Sequence, residues 1–510
     1  MHDNSSWFRD TGEQRLSADE VTDLLADRGV VVVSNRQPFA HNDDGDEVCV
    51  DVAHGGLVSG LNPFLRASGG TWVAWGDGDA DRTVVDGNDC VRVPPDDPSY
   101  TLRRVWLTEE NVRGYYYGFS NRVLWPLFHA SLGNVHAEQG DWHEYRAVNR
   151  TFADAVVEEA AGFDAPIVWF QDYHLALAPG VVRERLDDAV LSHFWHVPWP
   201  DWDVYRACPH GRTLLRGLLA NDVVGFHVDR YRANFLSCVD RALDGAVVDH
   251  GRGTVRFDGH TTTVGAHPLG VDVDGIAAAD DRGNNWTAFA DRHGIDPDTT
   301  LALGVERLDY TKGIPERLRA LELFWETNPE WRGELTYVQK ATESRSLIPE
   351  YDALQTEVAS TVDRINDRFG TDDWTPVVYT TEWLDTEEIY DLYRRADLAL
   401  VSPLRDGMNL VASEFVAAQG EDPGVLVLSD QAGAHDRLGQ RAVSVSPHEV
   451  DEFASAIETA VTMSPRERRE RMNRLQIRVR SESLSNWVRT FVTAAEAVER
   501  RPPAIGHREH

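Results

Sequence analysis

The chain has 510 residues and carries 84 acidic against 50 basic side chains, a net charge of −34. That length implies two or three domains with a large core, and an apolar content of 42% with 16 Trp, 14 Tyr and 18 Phe excludes a disordered acidic chain. A field this negative opposes non-specific binding to nucleic acid or anionic lipid, so neither nucleic acid nor membrane is expected as a partner.

The first residues, Met1 to Asp10, are polar and lack a basic region followed by an apolar run, so no signal peptide is predicted. No segment reaches the roughly 18 consecutive apolar residues of a membrane span, and a cytoplasmic location is expected. Ser17-Ala18-Asp19-Glu20 reads as a capping box, and Val21, Leu24 and Leu25 form the apolar stripe of a short helix behind it. Val30 to Val33 then opens a series of buried-strand candidates. It continues with Ile167–Phe170, Val190–Trp195, Val223–Phe226, Leu301–Val305, Leu335–Val338, Val377–Tyr379, Leu398–Val401 and Val425–Leu428. Continuous apolar runs separated by helical segments imply parallel sheets covered on both faces. So many strands fit two doubly wound α/β domains better than one sheet. Pro268, Gly270 and Gly275, followed by the polar stretch Ala279 to Asn285, place the boundary near His267–Trp286. Cys49, Cys90, Cys208 and Cys238 are scattered, without metal-site spacing, and read as free, mostly buried thiols.

Open parallel sheets bind ligands beyond the carboxyl ends of their strands. The residues in those places are polar. Ser34-Asn35-Arg36 follows the first run, Gln171-Asp172-Tyr173-His174 the second, and His196-Val197-Pro198 the third. Farther on come Glu306 to Gly313 and Ser402 to Asn409. Arg307 and Lys312 suit an anion such as a diphosphate, against the plainer reading of two exposed loop cations. Lys312 is one of only two lysines in the chain, with Lys340. Asp406-Gly407-Met408-Asn409-Leu410-Val411 reads as a helix start whose free N–H groups favour phosphate or sugar oxygens. Glu414 is then expected two turns farther along the same face, unless the pair is a capping Asp with a solvated Glu. His54-Gly55-Gly56-Leu57 allows close backbone approach to a ligand, as it would in a plain turn. Trp72, Trp75, Tyr116 and Trp125 are either core or a sugar-stacking platform. Asp272-Val273-Asp274 echoes an aspartyl phosphohydrolase or a metal-binding D-x-D pair, but falls at the predicted hinge. No P-loop and no zinc-protease motif is present, and no metal site is expected.

In order along the chain, these segments resemble the retaining trehalose-6-phosphate synthases. The similar stretches are Ser34-Asn35-Arg36, Gly55-Gly56-Leu57, Tyr116 through Phe119-Ser120-Asn121 to Leu124-Trp125-Pro126, Asp172-Tyr173-His174, His196-Val197-Pro198, Glu306 to Gly313, and Arg405 to Val411. The resemblance implies a GT-B architecture, two Rossmann-like domains facing a cleft, with the last helix returning to the first. The implied layout is an N-terminal extension with a short helix at 1–28, an acceptor domain at 29–267, a nucleotide-sugar domain at 268–483, a C-terminal helix at 484–500 and a tail at 501–510.

The resemblance also implies roles. Arg36 and Arg345 would hold the phosphate of glucose 6-phosphate, and Tyr116, Trp125 and Asp172 would line the acceptor sugar. Gly56 would approach the donor through its backbone, and His196 would touch the donor glucose. Arg307 and Lys312 would grip the diphosphate and Asp406 the donor sugar hydroxyls. Glu414 would take the ribose, and the backbone of Met408, Asn409, Leu410 and Val411 would meet the donor. Asp172, His196, Arg307, Lys312 and Asp406 are the catalytic set. The implied reaction moves glucose from a nucleotide-glucose, UDP-glucose first among the candidates, to glucose 6-phosphate with retention and without a cofactor. Another acceptor such as glycerol 3-phosphate, an aspartyl phosphohydrolase and a non-catalytic sugar-phosphate sensor are the alternatives. The donor base stays open, as does assembly into a homo-oligomer.

Acidic residues with lysine almost absent also read as adaptation to a salt-rich host, where molar salt shortens the Debye length to about 3 Å. Dialysis from about 1 M KCl into dilute buffer is expected to unfold the protein, a loss that circular dichroism follows. Full structure retained in dilute buffer would refute this reading.

Overall fold

The computed structural model describes residues 17–25, 28–45, 47–53, 56–278, 285–345 and 347–498. Residues 1–16 of the extension, His54 and Gly55, the polar stretch 279–284 and the tail 501–510 lie outside the described residues. Contacts divide the chain into two compact units. One holds the described residues up to Pro268 together with those from Leu484 onward, and the other holds Leu269–Ser483.

The predicted capping box opens the first helix. The Ser17 N–H donates to Glu20 Oε2 at 2.9 Å and the Glu20 N–H to Ser17 Oγ at 3.2 Å. Helix Ala18–Leu25 buries Val21 and Leu25 and packs against helices Gly56–Ser68 and Leu484–Glu496.

The first unit is built on a ten-stranded sheet. Its parallel centre runs in the order His260–Ala266, Val223–Phe226, Val190–Trp195, Ile167–Gln171, Val30–Arg36, Thr71–Trp75, Tyr100–Val105. Antiparallel strands close both ends: Val247–Asp249 and Thr254–Phe257 on one side and Cys90–Val93 on the other. These edges escape a search for apolar runs because they are half solvated; Val247 is 55% exposed. Helix Leu484–Glu496 packs on the parallel centre through Trp487 and Phe491. The Trp487 ring lies 5.1 Å from both Trp169 and Phe194, and Phe491 lies 4.8 Å from Trp169. Gly225 makes room for this packing, since a Cβ there would sit 2.5 Å from the Phe491 ring.

The second unit is an all-parallel, six-stranded sheet. Its order is Val377–Thr380, Leu335–Thr342, Thr300–Arg307, Leu398–Val401, Val425–Ser429, Val443–Val445. Alternate residues enter two separate cores. Leu301, Leu303, Ala399, Val401, Leu426 and Leu428 join one, while Ala302, Leu398, Leu400, Val425 and Val427 join the other. A strand buried on both faces has no polar positions to spare, which is why these segments read as continuous apolar runs.

One expectation needs correction, and two points left open by the sequence are settled. The thiols are not mostly buried: Cys49 is exposed and Cys90 half-buried, with Cys208 and Cys238 inside. Segment Val112–Leu124, which carries Tyr116, is a 13-residue π-helix, a rare form with no sequence period of its own. Trp72 is a core residue, fully buried, with its indole N–H donating to Ser34 Oγ at 2.8 Å.

Trp487→Ala empties the aromatic packing between the last helix and its sheet. It is expected to cost about 3–5 kcal/mol, read from the denaturant midpoint.

Candidate active site

Each sheet reverses its direction of growth at one place. In the first unit the chain adds strands to one side of Val30–Arg36 through Thr71–Trp75, then to the other side through Ile167–Gln171. In the second it passes from Thr300–Arg307 outward to Val377–Thr380, then returns to Leu398–Val401 on the opposite flank. The loops leaving the carboxyl ends of the flanking strands diverge at such a switch point, and the crevice they leave is where ligands bind. Arg36, Asp172 and His196 stand at strand ends in the first unit, and Arg307, Lys312 and Asp406 at strand ends in the second.

In the first unit Arg36 ends its strand and is exposed. Behind it, Gln37 Nε2 donates to Asp81 Oδ2 at 2.6 Å and to Asp77 Oδ1 at 2.7 Å. Asp81 is itself paired with Arg104 at 2.8 Å, with both side chains fully buried. Asp172 follows Gln171 with φ 65° and ψ 178°, a backbone conformation that non-glycine residues hold only under constraint. Its Oδ1 accepts the His196 backbone N–H at 3.2 Å, tying two neighbouring strand ends together. The His196 ring nitrogen Nε2 lies 2.9 Å from Gln171 Oε1. Burial, reinforced by His227 and His193, holds the His196 imidazole well below its ordinary pKa and therefore neutral. Tyr116 is half-buried and stacks on His174 at 6.0 Å and 12°, with Trp75 also 6.0 Å away. Trp125 is 5% exposed, against His129 at 4.1 Å and Tyr173 at 5.9 Å. Gly56 is the first residue of helix Gly56–Ser68.

In the second unit Arg307 ends the central strand, and the single turn Tyr310–Lys312 follows it. Gly313, with φ 68°, lets this turn close on the neighbouring loop, since a Cβ there would lie 2.2 Å from the Ser402 carbonyl oxygen. The approach places Lys312 Nζ 2.5 Å from Asp406 Oδ2, which also accepts from Asn409 Nδ2 at 3.1 Å. Helix Leu410–Ala418 begins only after Asn409, whose φ of 79° breaks the helical path. Asp406 and Glu414 therefore do not lie on one helical face as expected: Asp406 is on the preceding loop. Met408 is buried and its carbonyl accepts the Ala434 N–H at 2.8 Å, while Leu410 and Val411 open the helix. Glu414 accepts from Tyr393 OH at 3.1 Å, and burial pushes its carboxyl upward.

Sequence reasoning missed the group that organises this end of the sheet. Asp309 is fully buried, and burial alone would raise its pKa. Arg345, Arg307 and Lys312 outweigh that penalty and bring it down to about 2. Its Oδ2 lies 3.4 Å from Arg345 Nη1 and 4.0 Å from Arg307 Nη2, and accepts from Tyr351 OH at 3.0 Å. Arg345 thus pairs with Asp309 and not with its acidic neighbour Glu343, which accepts from Gln355 at 3.1 Å. A signal for Asp309 was present, an acid framed by Arg307 and Lys312. Tyr351 stands 42 residues from Asp309 and gave none.

Two Rossmann-like units, each with polar groups at its switch point, have the layout of the GT-B class, and the comparisons with known proteins agree. The glycosyltransferase family 20 model matches residues 28–497. An alpha,alpha-trehalose-phosphate synthase [UDP-forming] of Schizosaccharomyces pombe is 33% identical over 496 residues, covering 94% of this chain and 92% of that protein. The E. coli trehalose-6-phosphate structure bound with UDP-2-fluoro glucose matches with a TM-score of 0.82 and 32% identity, over 92% of this chain and 100% of that one. An alpha,alpha-trehalose-phosphate synthase (UDP-forming) from Burkholderia xenovorans, in complex with glucose-6-phosphate, matches with a TM-score of 0.81 and 30% identity over 92% and 100%. The chain belongs to glycosyltransferase family 20.

Asp309 also makes a pH prediction. Its folded pKa of about 2 lies below the ordinary 3.8, so its contribution is complete above about pH 4 and is lost as pH falls through 2. Urea unfolding between pH 4 and pH 2 is expected to show a shallower loss of stability in Asp309→Asn than in the wild type, by about 2 kcal/mol.

Proposed function

We propose that this protein is a cytoplasmic glucosyltransferase that moves glucose from UDP-glucose to the anomeric hydroxyl of glucose 6-phosphate, with retention, giving trehalose 6-phosphate. The observation that carries the reading is the grouping of Arg307, Lys312 and Asp406 at the switch point of the second sheet. The names of the relatives, UDP-forming trehalose-phosphate synthases, support the choice of donor and acceptor.

Breaking the glycosidic bond leaves an oxocarbenium-like carbon and a diphosphate that gains charge as it departs. Arg307 and Lys312 stabilise that departing charge, an interaction that strengthens toward the transition state. Asp406 receives the donor sugar hydroxyls, and its hold on Lys312 keeps sugar and diphosphate groups in one register. The backbone of Met408, Asn409, Leu410 and Val411, with Gly56, meets the donor, and Glu414 takes the ribose. A neutral His196 exchanges hydrogen bonds with the donor glucose without placing a positive charge beside a cationic carbon. Tyr116, Trp125 and Asp172 line the acceptor, and Arg36 and Arg345 bind its phosphate. Attack comes from the leaving-group face, and the departing phosphate takes the acceptor proton. Such a path needs no protein nucleophile and no metal, unlike the paired carboxylates of glycosidases. Glycerol 3-phosphate is a competing acceptor for the same donor site. The hydrolase reading draws no support from Asp272, whose Oδ1 accepts the Gly275 N–H at 3.0 Å at the start of helix Val273–Ala278.

Incubation with UDP-, GDP- or ADP-glucose in about 1 M KCl, with glucose 6-phosphate or glycerol 3-phosphate as acceptor, tests the reading. A disaccharide phosphate from UDP-glucose and glucose 6-phosphate is expected; none with any donor sinks it. Lys312→Ala is expected to lower turnover at least ~10-fold with the thermal midpoint little changed.

A further inference from the structure

The assignment of Arg345 to the acceptor phosphate leaves open what holds this side chain in place. Arg345 stands beyond the carboxyl end of strand Leu335–Thr342 with φ 53°, a left-handed conformation that a residue with a Cβ adopts only when its surroundings compel it. Its Nη1 donates to Tyr351 OH at 2.6 Å and lies 3.4 Å from Asp309 Oδ2. Tyr351 OH in turn donates a hydrogen bond to Asp309 Oδ2 at 3.0 Å, and its ring lies 5.6 Å from the guanidinium carbon. Both anchors engage one nitrogen, which fixes the direction of a planar fork suited to phosphate. The other carboxylate oxygen, Asp309 Oδ1, accepts the Thr311 N–H at 3.0 Å and the Thr311 hydroxyl at 2.9 Å, setting the turn that bears Lys312.

We infer that Asp309 and Tyr351 are positioning residues: Tyr351 orients Arg345 for the phosphate of the acceptor, and Asp309 couples that orientation to the Lys312 turn that faces the donor diphosphate. The inference rests on the glucose 6-phosphate reading above. The two oxygens of Asp309 divide the work. Oδ2 serves the acceptor-side cation through Tyr351, and Oδ1 serves the donor-side turn through Thr311. Removing the tyrosine hydroxyl loosens one side only. Neutralising the carboxylate weakens both and leaves three cations without their common counter-ion.

Steady-state kinetics of Tyr351→Phe and Asp309→Asn, with inhibition by UDP, distinguish these roles. Tyr351→Phe is expected to raise KM for glucose 6-phosphate at least ~5-fold while the UDP inhibition constant moves less than ~2-fold. Asp309→Asn is expected to raise both. A purely structural role predicts fewer active molecules, hence lower kcat with both constants unchanged. That result in Tyr351→Phe, or an equal change in the two constants, overturns the inference while the parent reading stands. A wild type that makes no disaccharide phosphate overturns the parent reading, and the inference with it.

Discussion

Like charges brought within a few ångströms at a protein surface repel by several kcal/mol, on the order of 4 kcal/mol at an effective dielectric of 20. A sheet end that gathers Arg307, Lys312 and Arg345 must therefore contain its own opposition. Asp309 supplies it from within, fully buried, and Asp406 supplies a second negative charge on Lys312. Three cations against two carboxylates leave 3 − 2 = +1 at this end of the sheet. The cluster is self-consistent without a ligand, yet it retains a surplus of the sign a phosphate needs. The chain as a whole carries −34, so this positive end of the sheet stands against the sign of the whole molecule.

The first unit solves a different problem. Its strand ends are held by hydrogen bonds, with charge kept behind them. His196 is neutral, Asp172 is occupied by the His196 backbone, and Gln37 links the Arg36 turn to a buried Arg104–Asp81 pair. A buried ion pair of this kind is weak evidence for stability, because desolvation offsets the attraction. Its effect is geometric: Arg104 also reaches the Phe39 and Asp81 carbonyls, so the segment after Arg36 is fixed from several directions. The exposed Arg36 thus stands on a rigid base.

What the sequence revealed followed from burial on both faces. Strands such as Val190–Trp195, Val223–Phe226 and Leu398–Val401 were legible to the residue, because they are buried throughout and every position but His193 is apolar or small. The antiparallel edges were not, since half their residues meet water. The π-helix Val112–Leu124 was hidden because its wider turn depends on what packs against it; a Cβ on Gly118 would lie within 2.6 Å of all three carboxyl atoms of Asp141. The strand-end positions of Arg36, Asp172, His196 and Arg307 were legible, because a polar group after an apolar run marks a carboxyl end. The expected face shared by Asp406 and Glu414 failed on one torsion angle, that of Asn409, which no helical period encodes. Tyr351 was hidden because it meets Asp309 across 42 residues, whereas Asp309 stood in plain view between two cations.

The distribution of lysine bears on the origin of the charge. If lysine were scarce for reasons unrelated to solvent, its two occurrences would fall anywhere. Both fall inside the second unit, on neighbouring strands or the turn that follows. Lys340 is 5% exposed with Nζ 2.5 Å from Thr342 Oγ1, and the Lys312 side chain is 12% exposed against Asp406. Both lysines are thus sheltered, and the basic groups at solvated positions are all arginines. Lys312 sets a compact ammonium on a flexible stem, a point charge, against Asp406.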